Sequence, residues 1–237
     1  MPSNAVKFDR GSPTIVIVNE SADVEPERLK RVVKALQIQV DRDFFPLWGF
    51  RAKLRIGKAV PPGAMGITLM NLNPDRDDAQ GYHFVKGLPR AEVYTRDNDD
   101  EPYTPQEVSA TLSHEVLEMI ADPGVNLYAR GFPIKGKPNF NAFVGYEVCD
   151  AVQDVVYKID GVEVSDFVVP EWFEPEHKPG SMQFSFKRAV KRPFARTADG
   201  YIDVLVGKRI VEKAGRTTRK RRHRMEARQR RHAATVP

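Results

Sequence analysis

The segment Ser113-His114-Glu115-Val116-Leu117-Glu118 places one imidazole and two carboxylates within five positions. On a helix, His114 and Glu118 are four residues apart, emerge on one face and can grip a single cation. Glu115 then lies about 100° round the axis from His114, placed to move a proton beside that cation. The helix has a strong start signal. Thr104-Pro105-Gln106-Glu107 reads as a capping box with proline in the first turn, the threonine accepting from the third amide and the glutamate reaching back. Asp122-Pro123-Gly124 predicts an end near Ala121. Val108, Leu112, Val116, Met119 and Ile120 form the expected core face.

A cation needs at least one more protein ligand, and Gly145-Tyr146-Glu147-Val148-Cys149-Asp150 is the richest source. Glu147 is the first choice, with Asp150 as third ligand or as a partner behind the ligands. His83 in Gly81-Tyr82-His83 is the next candidate, as ligand or as a group that polarises the substrate. Cys149 is the chain's single cysteine. It cannot form an internal disulfide, and with no second cysteine or histidine at metal spacing it is expected to pack inward. HExxE departs from the HExxH pattern of zinc peptidases in its second ligand only. Carboxylate oxygen is a legitimate zinc ligand, and a His-plus-carboxylate set also suits manganese, iron or calcium. The expected cofactor is therefore one divalent metal ion, zinc first, held by His114, Glu118, Glu147 and Asp150. Such an ion acidifies water and polarises a carbonyl, while Glu115 takes the proton and passes it to the leaving amine. His83 or Tyr146 would stabilise the oxyanion, and Ala91–Thr95, taken as an edge strand, would align an extended peptide.

The rest of the chain supplies elements to position these groups. Thr14–Val18 (TIVIV) reads as a buried strand. From Pro26 to about Phe45, Leu29, Val32, Val33, Leu36, Val40 and Phe44 recur at helical spacing, with Pro46 and Gly49 as the stop. Ala52–Ile56 and Gly66–Leu72 read as strands, and Tyr82–Val85 and Ala91–Thr95 as a pair. Residues 125–143 read as a long connection. Val155–Ile159 and Val162–Val164 form a hairpin around Asp160-Gly161, and Tyr201–Val206 is the last expected strand. This order predicts a mixed α/β (α+β) domain over residues 11–206, with a small mixed sheet, a long N-terminal helix and the capped site helix. Residues 1–10 are expected to be a flexible arm.

The net charge of +5 hides a division. Residues 208–231 carry twelve Lys/Arg against two Glu, leaving 25 basic and 30 acidic side chains ahead of them. The acidic body and basic tail (residues 207–237) therefore require separate explanations. Arg216, Arg219, Lys220, Arg221, Arg222, Arg224, Arg228, Arg230 and Arg231 make an arm for a polyanion, DNA or RNA, or for an acidic protein surface. Without aromatic interleaving, binding would be indifferent to base sequence and sensitive to salt. No apolar run approaches the roughly 20 residues of a membrane span, and Met1-Pro2-Ser3-Asn4 does not open a signal peptide. The expectation is a cytoplasmic protein or part of a virion.

Four segments, Arg42–Gly49 (RDFFPLWG), Ser113–Pro123 (SHEVLEMIADP), Tyr146–Asp150 (YEVCD) and Ser165–Phe173 (SDFVVPEWF), resemble a little-characterised family encoded by bacteria and phages. The resemblance spans roughly residues 14–175. It implies a zincin-like, metallopeptidase-like fold and puts the family's shared positions at His114, Glu115, Glu118, Glu147 and Asp150. A glutamate as the downstream ligand is also the arrangement of the thermolysin-like gluzincins. Together with the basic tail, the resemblance leaves a second expectation open. In that reading the chain is a non-catalytic structural component of a phage virion or nucleoprotein assembly, its tail contacting nucleic acid.

Overall fold

In the computed structural model, which describes residues 12–74, 79–134, 137–206 and 209–214, β1 (Thr14–Asn19) buries its central four residues on both faces. A continuous β-branched run of this kind suits the middle of a parallel sheet. β1 lies between β2 (Lys53–Gly57) and β3 (Met65–Met70), parallel to both. After β4 (Gly81–Lys86) comes β5 (Leu88–Tyr94), which runs parallel to β3, while β4 pairs antiparallel with β5. The order is β2-β1-β3-β5-β4. Ala91–Thr95 is therefore not the edge expected from sequence: β5 is enclosed between two strands, and the edge is β4.

α1 (Pro26–Ile38), a π-helical turn (Gln39–Phe44) and α2 (Phe45–Trp48) form one continuous helical stretch. Pro46 does not stop it. The widened turn lets the Phe45 amide reach the Val40 carbonyl and puts Pro46 in the first turn of α2, where no amide is needed. Gly49, at φ 71°, ends the stretch by donating to the Phe45 carbonyl at 2.8 Å.

α3 (Pro105–Ala121) starts and stops where the sequence predicts. Its capping box forms, with the Glu107 amide 3.2 Å from Thr104 Oγ1 and the Thr104 amide 2.7 Å from Glu107 Oε2. Ile15, Ile17, Ile67, Leu69 and Val93 from the sheet meet Leu29, Val32 and Leu36 of α1 and Leu112 and Val116 of α3 in the main core. Val16, Val18 and Ala64 make a small cluster on the opposite sheet face.

Residues 125–143 are largely strand rather than connection. β6 (Tyr128–Ile134) and β7 (Lys137–Gly145) pair antiparallel, and β10 (Tyr201–Val206) and β11 (Arg209–Ala214) extend them in the order β11-β10-β7-β6. Gly131 and Pro133 mask the strand in the sequence. Pro133 is tolerated because β6 is an edge strand whose register shifts beside it. β11 falls inside the stretch read above as tail. β8 (Val156–Ile159) and β9 (Val162–Ser165) form the foreseen hairpin, with Asp160 and Gly161 at φ 48° and 79°.

Two of the four resembling segments prove to be packing. Phe44 stacks on Trp48 and meets Phe167 edge-on, and Trp48 Nε1 donates to the Val168 carbonyl at 3.0 Å. No described helix is long and apolar enough to cross a membrane. Residues 1–11 and all nine basic side chains from Arg216 to Arg231 lie outside the described residues.

Candidate metal centre

Three parts of the chain converge beside α3. The edge strand β4 carries His83, and α3 itself carries His114, Glu115 and Glu118. The segment after β7 brings Glu147 and then Asp150, which opens a 3₁₀ turn (Asp150–Val152). β4 can lie against α3 because Gly81 has no side chain. A Cβ there would stand 2.7 Å from Thr111 Cγ2 and 2.9 Å from Glu115 Oε1.

A polar lock fixes α3 one residue before His114. Ser113 Oγ is fully buried; it donates to Gln39 Oε1 at 2.8 Å and accepts from the Ser165 amide at 3.0 Å. Gln39 Nε2 reaches the Ser165 carbonyl and Tyr157 Oη, and Tyr157 Oη donates to Asp43 Oδ2. Gln39 and Asp43 both belong to the π-helical turn, so that irregularity supplies the groups that anchor the site helix to β8 and β9. The downstream segment is tied in through its backbone, with the Cys149 amide donating to Glu118 Oε1 at 3.2 Å.

Glu118 Oε2 stands between the two imidazoles, 3.5 Å from His83 Nδ1 and 3.2 Å from His114 Nε2. His114 Nε2 also lies 3.1 Å from Asp150 Oδ1. His83 Nδ1 is 3.6 Å from Glu115 Oε2, and its Nε2 is 3.7 Å from Glu147 Oε2. Two ligand sets result, His83/Glu118/Glu147 and His114/Glu118/Asp150, each with its donor atoms within 4.8 Å of one another. Either set could hold a metal ion. All these side chains are buried except that of His114, which is 16 % exposed and marks the side open to solvent. Among the described residues, His83 Nε2 and Glu115 Oε2 have no hydrogen-bond partner. Buried polar atoms are rarely left so, and donors aimed at a cation are one physical reason for it.

The electrostatics fit a cation. Burial opposes charge on His83, yet the carboxylates of Glu147, Glu115 and Glu118 outweigh it and carry its pKa up to about 9. His114 is raised in the same way by Glu118 and Asp150 against burial. Glu118 is pushed up by burial, with Asp150 and Glu147 adding to the shift and His114 opposing it. The cluster thus holds protons where a metal would displace them.

The six side chains singled out in the sequence come together in one cluster. The four expected ligands split, Asp150 joining His114 and Glu147 joining His83, with Glu118 common to both. Glu115 faces His83. Tyr146 is turned away: its ring stacks on Phe173 at 4.4 Å and meets Trp48 edge-on, and burial with nearby Glu174 raises its pKa. Cys149 is fully buried, as expected. Gly81, Ser113 and Gln39 were not singled out; the one sequence signal was a glutamine and a serine within otherwise apolar helix faces. No known family model, curated protein or solved structure matches the chain.

Proposed function

We propose that this chain is a metal-dependent hydrolase of zincin-like build that acts on peptide bonds. The observation that carries the reading is the convergence of two imidazoles and four carboxylates in one buried cluster. A mixed sheet followed by a capped HExxE helix is consistent with the zincin-like fold that the family resemblance implies. His114, Glu118 and Asp150 would hold the ion, zinc first by chemistry, with manganese, iron or calcium compatible with the carboxylates. Bound there, the ion would supply Lewis acidity toward a carbonyl and toward water.

The chain's own groups do the rest. Glu115, whose Oε2 has no hydrogen-bond partner among the described residues, is the base that takes a proton from water and returns it to the leaving amine. His83, 3.6 Å from Glu115, offers an N–H to negative charge developing on the carbonyl oxygen. The outer side of β4 aligns an extended peptide by main-chain pairing. The test is digestion of an unfolded protein such as denatured casein by the metal-loaded wild type and Glu115→Gln. The expected result is cleavage by the wild type and a drop of about 100-fold or more in the variant at unchanged metal content. Equal cleavage by both removes Glu115 from the mechanism, and no cleavage by the loaded wild type removes the peptidase reading.

The charge of residues 208–231, twelve Lys/Arg against two Glu, favours a second reading: a structural component of a virion or nucleoprotein assembly that contacts DNA or RNA. It predicts binding to random-sequence duplex DNA that weakens steeply with salt and is lost when residues 216–237 are removed. DNA affinity unchanged by that truncation would refute it.

A further inference from the structure

Glu118 stands between two candidate ligand sets. Its Oε1 is occupied by the Cys149 amide, whereas its Oε2 points between His83 on one side and His114 on the other. The two ligand sets are otherwise distinct: His83 and Glu147 share no member with His114 and Asp150. We infer that the cluster is a binuclear centre, a pair of divalent cations bridged by Glu118, with His83 and Glu147 completing one half and His114 and Asp150 the other. The inference rests on the metal-site reading above and extends it from one ion to two.

Charge balance supports two ions over one. Glu115, Glu118, Glu147 and Asp150 bring four carboxylates into a buried cluster whose basic members, among the described residues, are two imidazoles. Two divalent ions would cancel all four carboxylates with both imidazoles neutral, whereas one ion leaves the remainder to be offset by protons on buried groups, away from water. A second, independent observation is the buried His83 Nε2, which has no hydrogen-bond partner among the described residues. A single ion on His114, Glu118 and Asp150 leaves that atom, 3.7 Å from Glu147 Oε2, outside the coordination. The third observation is the departure from HExxH. A histidine at position 118 has one ring nitrogen to give, whereas the Oε2 of Glu118 has more than one lone pair and can join two cations. Glutamate at 118 is thus what a bridging position requires. Paired ions about 3.5–4 Å apart recur in enzymes that clamp both the attacking and the leaving oxygen, so the inference also favours a hydrolase over an inert structural ion.

The test uses the full-length protein stripped with chelator and reloaded with manganese(II) or zinc(II), the ions counted by native mass spectrometry. The manganese form is also read by electron paramagnetic resonance. The expected result is two ions per chain in the wild type and one in His83→Ala and in His114→Ala. The manganese spectrum should be that of an exchange-coupled pair in the wild type and of an isolated ion in each variant. His83→Asn and His114→Asn, with circular dichroism on every variant, separate loss of a ligand from loss of the fold. One ion in the wild type overturns the binuclear centre but leaves the single-metal reading standing; no ion overturns both. Two ions with an uncoupled spectrum overturn the Glu118 bridge.

Discussion

Replacing Ser113 by alanine probes how the HExxE helix is held in place. Ser113 Oγ is completely buried and serves two partners, Gln39 Oε1 at 2.8 Å and the Ser165 amide at 3.0 Å. Two neutral hydrogen bonds are lost, about 0.5–1.5 kcal/mol each, and the buried Ser165 amide is left without an acceptor at a further cost of about 1–3 kcal/mol. The variant should lose roughly 3 kcal/mol. In a chain of this size that is a fall in Tm of about 6–12 °C. Urea and thermal unfolding in the presence of chelator, so that bound metal does not add to stability, provide the assay. A double-mutant cycle with Gln39→Leu isolates the contact and should give a coupling of about 1 kcal/mol or more. A loss below about 0.5 kcal/mol, or strictly additive effects of the two substitutions, would refute the lock.

Three further outcomes follow from the same geometry. Burial lifts the Asp166 carboxyl to about 6, against the opposing amides of Lys187 and Phe167. The folded state then holds this proton more tightly than the unfolded chain, so its contribution favours folding at low pH and is lost as pH rises from about 4 to 6. Relative to Asp166→Asn, the wild type should lose roughly 2–3 kcal/mol between pH 4 and 7; a pH-independent difference in urea unfolding rejects this. Gly81→Ala places a Cβ against Thr111 and Glu115 and should push β4 off α3. The expected cost is about 1–3 kcal/mol together with weaker metal binding, and full affinity by calorimetry would contradict the close approach. Gly200→Ala drives a Cβ into the Ala151 carbonyl, next to Asp150, and should also weaken metal binding, whereas the same change at the open Gly161 turn should not.

Much of this site was legible before the fold was known, because its pieces obey local rules. The capping box and the Asp122-Pro123-Gly124 stop fix α3, and helical spacing then fixes His114 and Glu118 on one face. The Asp160-Gly161 turn announces β8 and β9 in the same local way. What stayed hidden depends on pairing across the chain. Whether β5 or β4 is the edge is decided by which strands find each other, and Pro133 disguised an edge strand as a loop. The partition of Glu147 and Asp150 between two histidines depends on how the segment after β7 meets β4, two elements more than fifty residues apart. Pro46 misled for another reason: the π-helical turn that lets the helix continue exists to bring Gln39 and Asp43 into contacts with Ser113 and Tyr157, which no local pattern reveals.

The most direct test is the metal content of the purified full-length protein beside Glu118→Ala, both shown to be folded. Glu118 belongs to both ligand sets, so the wild type should carry at least one divalent ion per chain and the variant none. A wild type that stays metal-free after incubation with zinc or manganese, or a variant that keeps the full metal content, would contradict the account.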